Sequence, residues 1–169
     1  MKKLFYIIVF MGGIANAQVA IGKEDVTNES ILLEFDDNES NTLGIILPSV
    51  LDASSITAQN GTFLFDVATK KVRMYENSAW KDLSAVGDDS AVIIDPSSEN
   101  TNSTGVILGS DTTATPGVFV LEATDKAMVL PKIANPHLTV ESPYAGMMCY
   151  DTVSKSLAVF DGANWNYWK

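Results

Sequence analysis

The sequence predicts a mainly β protein made of two tandem three-stranded β-meander modules, each entered by an extended N-terminal arm. Three observations predict it. One stretch of the chain is written twice, at about 30–84 and again at about 117–169. Within each copy, apolar residues alternate with a period of two, the signature of a half-buried strand. Beyond residue 17, helical periodicity is almost absent.

The chain begins MKKLFYIIVFMGGIANA, with two lysines, an apolar run over 4–14, and the small-x-small pattern Ala15-Asn16-Ala17. This is the pattern of a secretory signal peptide cleaved before Gln18. The apolar run falls short of the roughly 20 residues that a spanning helix needs, so no membrane insertion is expected after cleavage. The only cysteine, Cys149, lies far from the cleavage site, so anchoring by a lipid there is not expected. With Lys2 and Lys3 removed and no acid lost, the formal charge goes from −10 to −12. Such a chain repels nucleic acid and anionic membranes.

A single cysteine cannot make an internal disulfide, so packing and association must stabilise an exported chain. Cys149 stands in an apolar stretch with Met147 and reads as a buried, inert thiol. The remaining length divides into a first β-repeat module at 18–85, a loop-rich connector at 86–115 and a second module at 116–169. Each half is small for independent stability.

The repeat aligns residue by residue. GIILPSV, starting at Gly44, matches AMVLPKI, starting at Ala127, and sets Pro48 against Pro131. Gly61, Asp66, Lys70, Tyr75 and Trp80 then match Gly146, Asp151, Lys155, Phe160 and Trp165 at one constant offset. Upstream, Leu33-Glu34 pairs with Leu121-Glu122, and AIG at Ala20 with ILG at Ile107. Phe63 and Phe65 share one strand face and Leu64 the other. The polar Ala68-Thr69-Lys70-Lys71 segment turns the chain, and alternation resumes at Val72 and Met74, giving a hairpin. Glu76-Asn77-Ser78 in copy one and Asp161-Gly162 in copy two make the next turn, Asp-Gly being a strong tight-turn signal. Trp80 and Leu83, or Trp165, Tyr167 and Trp168, form the third strand.

Pro48 and Pro131 are expected to end the arm strands, because proline cannot donate to a central ladder. Residues 52–59 and 135–142 suit a turn or two of helix, with Asp52 as cap. The connector is rich in Gly, Asp, Ser, Asn and Thr, and its apolar AVIID and GVILG read as two short strands.

No set of residues reads as catalytic. The single His137 lies in a Pro136-His137-Leu138 spacer and suits a surface or capping role. With one histidine and one cysteine the chain shows no zinc pattern and no nucleophile motif, and no glycine-rich phosphate loop is present. No cofactor is therefore expected. Asp36-Asp37-Asn38-Glu39 and Asp88-Asp89, with Asp95, offer hard oxygens for calcium but lack the EF-hand spacing, so they read as a solvated acidic face. Trp80 and Trp165 recur at one place in the repeat and are expected to plug each module's core. Trp168 has Leu83 as its counterpart, so Tyr167 and Trp168 are the candidate partner-binding residues.

The order AIG, LE, G-x-x-LP, then G-x-x-x-x-D-x-x-x-K-x-x-x-x-Y/F-x-x-x-x-W resembles the secreted β-repeat proteins of Bacteroidetes. In these, segments like VGIGTTxP, LDV, GFLPPRM and PAxGLMVYDTxTxxLYFYNGTxW follow one another, and related segments recur in phage tail-fibre and knob proteins. The resemblance spans nearly the whole chain after residue 17, twice. It implies a surface-exposed fibre- or knob-like module associated with adhesion, a homotrimer in which extended arms intertwine. In this chain KEDVTNES replaces the usual threonine and proline run, and Ser49 and Lys132 stand at the family's arginine. The resemblance also points to Ser90, in Asp89-Ser90-Ala91, as an O-glycosylation acceptor. No long C-terminal sorting segment follows Trp168. A partner is thus expected to supply the outward address, or the chain stays in the periplasm.

The expected function is a non-enzymatic secreted structural or interaction protein, a fibre- or knob-like subunit associating with a cell-surface adhesin or secretion-system protein. The competing expectation is a glycan-binding module using exposed aromatic residues. A hydrolase assembled from scattered Asp, Ser and His137 has no supporting motif.

Overall fold

The computed structural model of the chain describes residues 18–94, 105–115 and 117–169; the segment 1–17 and Asp95 lie outside the described residues. The described chain is mainly β with almost no helix, its several sheets stacked in a solenoid-like way. The first seven strands are β1 (Val19–Ile21), β2 (Ile31–Phe35), β3 (Ile45–Ile46), β4 (Ser49–Val50), β5 (Phe63–Asp66), β6 (Lys71–Glu76) and β7 (Ala79–Asp82). The next seven follow the same order: β8 (Val106–Leu108), β9 (Phe119–Leu121), β10 (Ala127–Val129), β11 (Lys132–Ile133), β12 (Met147–Asp151), β13 (Ser156–Phe160) and β14 (Trp165–Trp168).

In each copy the last three strands run antiparallel in sequence order. A fourth, parallel strand joins them from the arm: β4 lies along β5, with Ser49 opposite Phe65, and β11 along β12, with Lys132 opposite Tyr150. The sheet of the first copy therefore has four strands where three were expected, and that of the second, with β3 added, has five. Two-residue strands carry no period, which is why alternation alone does not reveal them.

Strands also cross between the copies. β3 pairs antiparallel with β12, Ile46 opposite Met147 and Ile45 opposite Met148. β10 runs parallel to β2, Met128 opposite Leu33 and Val129 opposite Glu34. Pro48 and Pro131 follow the ends of β3 and β10, as expected, but the arm continues past each into β4 and β11. Each sits where the chain leaves one sheet for another, and its carbonyl accepts from the next sheet, from Phe65 N–H and Tyr150 N–H, both at 2.9 Å. A residue without an N–H is well placed where no ladder donor is needed.

The turns follow the sequence in part. Asn77 and Ser78 both have positive φ, 50° and 63°, the two-residue hairpin turn whose twist suits paired strands. Asp161-Gly162 instead opens a four-residue loop, since Phe160 pairs with Trp165. The buried Asp161 carboxylate accepts from Ala163 N–H and Asn164 N–H, which widens the turn. Asp52 caps a single 3-10 turn at Ala53–Ser55 by accepting from Ser54 N–H at 2.8 Å. Its counterpart is one helical turn, α1 (Pro136–Thr139). Of the two connector strands, GVILG supplies β8, but Ala91, Val92, Ile93 and Ile94 form none. There Val92 N–H bonds back to Asp89 and Ile93 N–H donates to the Tyr144 hydroxyl, so the backbone is already committed.

One apolar cluster joins the four-stranded and five-stranded sheets: Phe65 and Val72 from the first, Met148 and Val159 from the second, with Leu47, Leu83 and Ala145. A second cluster, Ile133, Met147, Cys149, Ala158 and Phe160, lies within the second copy. Fully buried carboxylates sit at matching hairpin turns. Asp66 accepts from Ala68 N–H, the Thr69 hydroxyl and Arg73 Nη1, the last at 2.9 Å. Asp151 accepts from Val153 N–H and Asn135 N–H, both at 3.0 Å, and so ties α1 to the sheet. Burial pushes the Asp151 carboxyl up, but hydrogen bonds from Ser154, Val153 and Asn135 outweigh it and hold the pKa below the usual value.

Two predictions follow from the packing and the buried acid. Gly162 has φ +95°, and a Cβ there would overlap the backbone of Asp88, which cannot yield as a flexible side chain would. Gly162→Ala is expected to cost about 1–3 kcal/mol, read from the urea midpoint. The folded Asp151 carboxyl binds its proton more weakly than the unfolded one, so the unfolded state takes up protons first as pH falls. Its stabilising contribution is full above about pH 4 and is lost below it. Asp151→Asn should cost about 1–3 kcal/mol near neutral pH, because a buried acceptor set is broken. The gap to the native chain should narrow steadily in urea melts at lower pH, whereas a constant gap would refute this origin of the acid sensitivity.

Candidate interaction surface

Strand β14 is an edge strand, paired only with β13 among the described strands. Alternation sends its neighbouring residues to opposite faces. Tyr167 points toward α1, where its hydroxyl lies 3.0 Å from His137 Nδ1 with the rings edge to face. Burial raises the Tyr167 pKa, with the Asp151 and Cys149 charges adding to it. Trp168 turns toward the first copy. Its indole N–H donates to the carbonyl of Leu83, the residue that occupies its own place in the repeat, and Lys81 Nζ stands 6.0 Å from its ring centre. Both aromatics remain partly open, 40% and 38% exposed. The two candidate residues thus lie at one strand end but on different faces, each already holding an intramolecular contact.

The repeated tryptophans differ in use. Trp165, itself half-buried, packs against the edge of the second cluster and against Phe160, ring centres 5.4 Å apart. Trp80 departs from the expected core plug. It lies half-buried across Tyr75 at 5.2 Å and under the Arg73 guanidinium at 5.7 Å. Arg73 also binds Asp66, and its Nε is 3.0 Å from Asp82 Oδ1, at ion-pair distance but off the hydrogen-bond direction. Lys71 reaches Asp82 from the other side at 2.6 Å.

Ser90 is exposed, and its hydroxyl donates to Asp88 Oδ2 at 2.9 Å. Cys149 is fully buried, and desolvation with the nearby Asp151 charge pushes its thiol up to about 12. His137 is exposed on α1, as a surface histidine should be. The acidic runs are engaged locally: Asp36 accepts from Asn38 N–H, Asp37 meets Lys23 at 3.6 Å, and Asp89 meets Lys70 at 2.9 Å. Among the described residues no three His, Cys, Asp or Glu side chains converge as a metal site.

Sequence reasoning missed the buried Glu34, which receives Thr27 N–H and the Thr27 hydroxyl, with Lys23 at 3.5 Å. In the second copy Glu122 receives the Thr113 hydroxyl in the same way. The repeated Leu-Glu pair was the available signal. It also misaligns the strands by two residues: Val19 faces Leu33, while its counterpart Val106 faces Phe119.

No family model matches the chain, and neither a curated protein nor a solved structure matches it.

The Trp168 contact makes a prediction of its own. Trp168→Phe keeps an aromatic ring but removes the donor to Leu83, and should lower stability by about 1 kcal/mol in urea unfolding. An unchanged midpoint would show that this donor adds nothing to the contacts of β14 with the first copy, which also include Ala85 N–H to Asn166 Oδ1.

Proposed function

We propose that this chain is a non-enzymatic, secreted structural or interaction protein, a fibre- or knob-like subunit that self-associates and joins a cell-surface adhesin or secretion-system protein. The observation that carries the reading is the strand exchange between copies, in which β3 completes a sheet of the second copy and β10 a sheet of the first. A chain that builds itself by lending strands uses the same contacts that strand addition between chains uses. Its likeness to the Bacteroidetes β-repeat proteins supports the same reading and suggests a homotrimer. The leader-like residues 1–17 support export.

Tyr167 and Trp168 are the proposed contact with the heterologous partner, and exposed Ser90 is the proposed glycan acceptor. A glycan-binding role draws on the same two aromatics. It finds less support, because Trp168 and Tyr167 open onto different faces and form no shared platform.

Light scattering on the purified chain should give a mass that is a whole multiple of one chain, three for the trimer. A mass of one chain at every concentration would overturn the fibre reading.

A further inference from the structure

The contacts between the two copies use only half of the edges that could make them. In the internal contact, β10 of the second copy lies on the free edge of β2 in the first, and β3 of the first lies on the first half of β12 in the second. The matching edges at the two ends of the chain have no strand among the described residues. β9 pairs with β8 alone. Val118 C=O accepts from Val106 N–H and Glu122 N–H donates to Leu108 C=O, so with alternation the amides of Phe119 and Leu121 point away from β8. At the other end, β3 binds β12 through Leu47 N–H to Gly146 C=O and the Ile45–Met148 pair, which leaves the Ile46 amide facing outward.

Side-chain burial marks the same seats. Leu33, under β10, is 1% exposed, while Phe119, its counterpart by strand register, is 49% exposed. Ile46, counterpart of the paired Val129, is 48% exposed. Gly146 is closed over by Leu47 and Phe65, whereas a Cβ built at its counterpart Gly61 meets nothing within 4 Å.

We propose that a second copy of this chain fills these seats by repeating the internal contact head to tail. β3 of the incoming chain adds to β9, with Ile46 opposite Val120 as Val129 is opposite Glu34. β10 in turn lies along the start of β5 in the incoming chain, with Leu130 over Gly61 as Leu47 is over Gly146. The interface is heterologous, so its rotation closes a ring, three chains being one closed case, or leaves an open fibre. The inference rests on the self-associating reading above and names the edges that perform it.

Sedimentation velocity tests it with two edge variants. Ile46→Pro removes only the outward N–H of β3, and Leu121→Pro only that of β9; edge prolines of this kind are tolerated. The native chain should grow beyond one chain with concentration, and each variant alone should associate about tenfold or more weakly. An equal mixture should recover association, giving species of two chains and none larger, because one variant keeps the head and the other the tail. Variants must match the native circular dichroism and melting; where a proline does not, Ile46→Lys and Phe119→Lys carry the same test. A native oligomer indifferent to both edges, or a mixture that stays dissociated, overturns this proposal and leaves the oligomeric reading standing. A native chain that is always monomeric overturns both.

Discussion

Two short backbone pairings, β3 on β12 and β10 on β2, decide whether this chain is one folding unit or two fragments. A half of this size is marginal alone, because it buries a small share of its surface. Two- and three-residue strands gain only about 0.5–1.5 kcal/mol per hydrogen bond, which does not order a chain by itself. What makes the pairings effective is the apolar residue each one delivers. β3 leads directly into Leu47, which enters the cluster of Phe65, Val72, Met148 and Val159 that joins both sheets. Beside β10, Leu33 is almost fully buried. Hydrogen-bond register thus sets position, and burial supplies the free energy.

The two copies have diverged in how they cover one equivalent sheet face. In the first copy it carries Lys71, Arg73 and Asp82, linked to one another and to the buried Asp66. The Lys71–Asp82 pair stays partly in water, where such pairs contribute little to stability, whereas the Arg73–Asp66 pair is sheltered against the buried carboxylate. In the second copy the equivalent positions are Ser156, Ala158 and Tyr167, and the first two are buried. An arginine there would need full pairing away from water, which is costly. A small residue lets Ile133, Cys149 and Phe160 close over the strand instead. The same difference explains the tryptophans: Trp80 has a guanidinium to lie against, and Trp165 has a core.

The sequence is legible where one residue type forces one geometry. The duplicated Asp66 and Asp151 follow this rule, as do the antiparallel strands on either side of each polar turn, where Lys70 and Lys155 take positive φ immediately before the new strand. Asp52 as a cap follows for the same reason. The parallel strands β4 and β11 were not legible, since two residues after a proline have no period to display. The Asp161 loop was misread because the Asp-Gly signal is local, whereas the Asp161 carboxylate bonds to the backbone further along. Nor does sequence show that Tyr167 and Trp168 spend part of their surface on His137 and Leu83, contacts that depend on distant chain segments meeting.

The ends of the repeat array carry a constraint that its middle does not. Stacked repeats need terminal units with polar outer surfaces, and exposed strand edges are ordinarily blunted with lysine, proline or inward charge. Neither device is present on the open edge of β9, whose sequence Phe-Val-Leu is wholly apolar and whose neighbour Val118 is 76% exposed. At the other end Leu43 is 75% exposed and Ile46 lies open beside it. The charge that would protect a monomer is abundant in this acidic chain, yet it is placed elsewhere, in the loops around Asp36 and Asp88. The outward residues of β9 and β3 thus stay apolar and hydrogen-bond competent. Under the head-to-tail association proposed above, such ends would seat a further copy, because they are where two copies of one repeat leave their edges uncovered among the described strands.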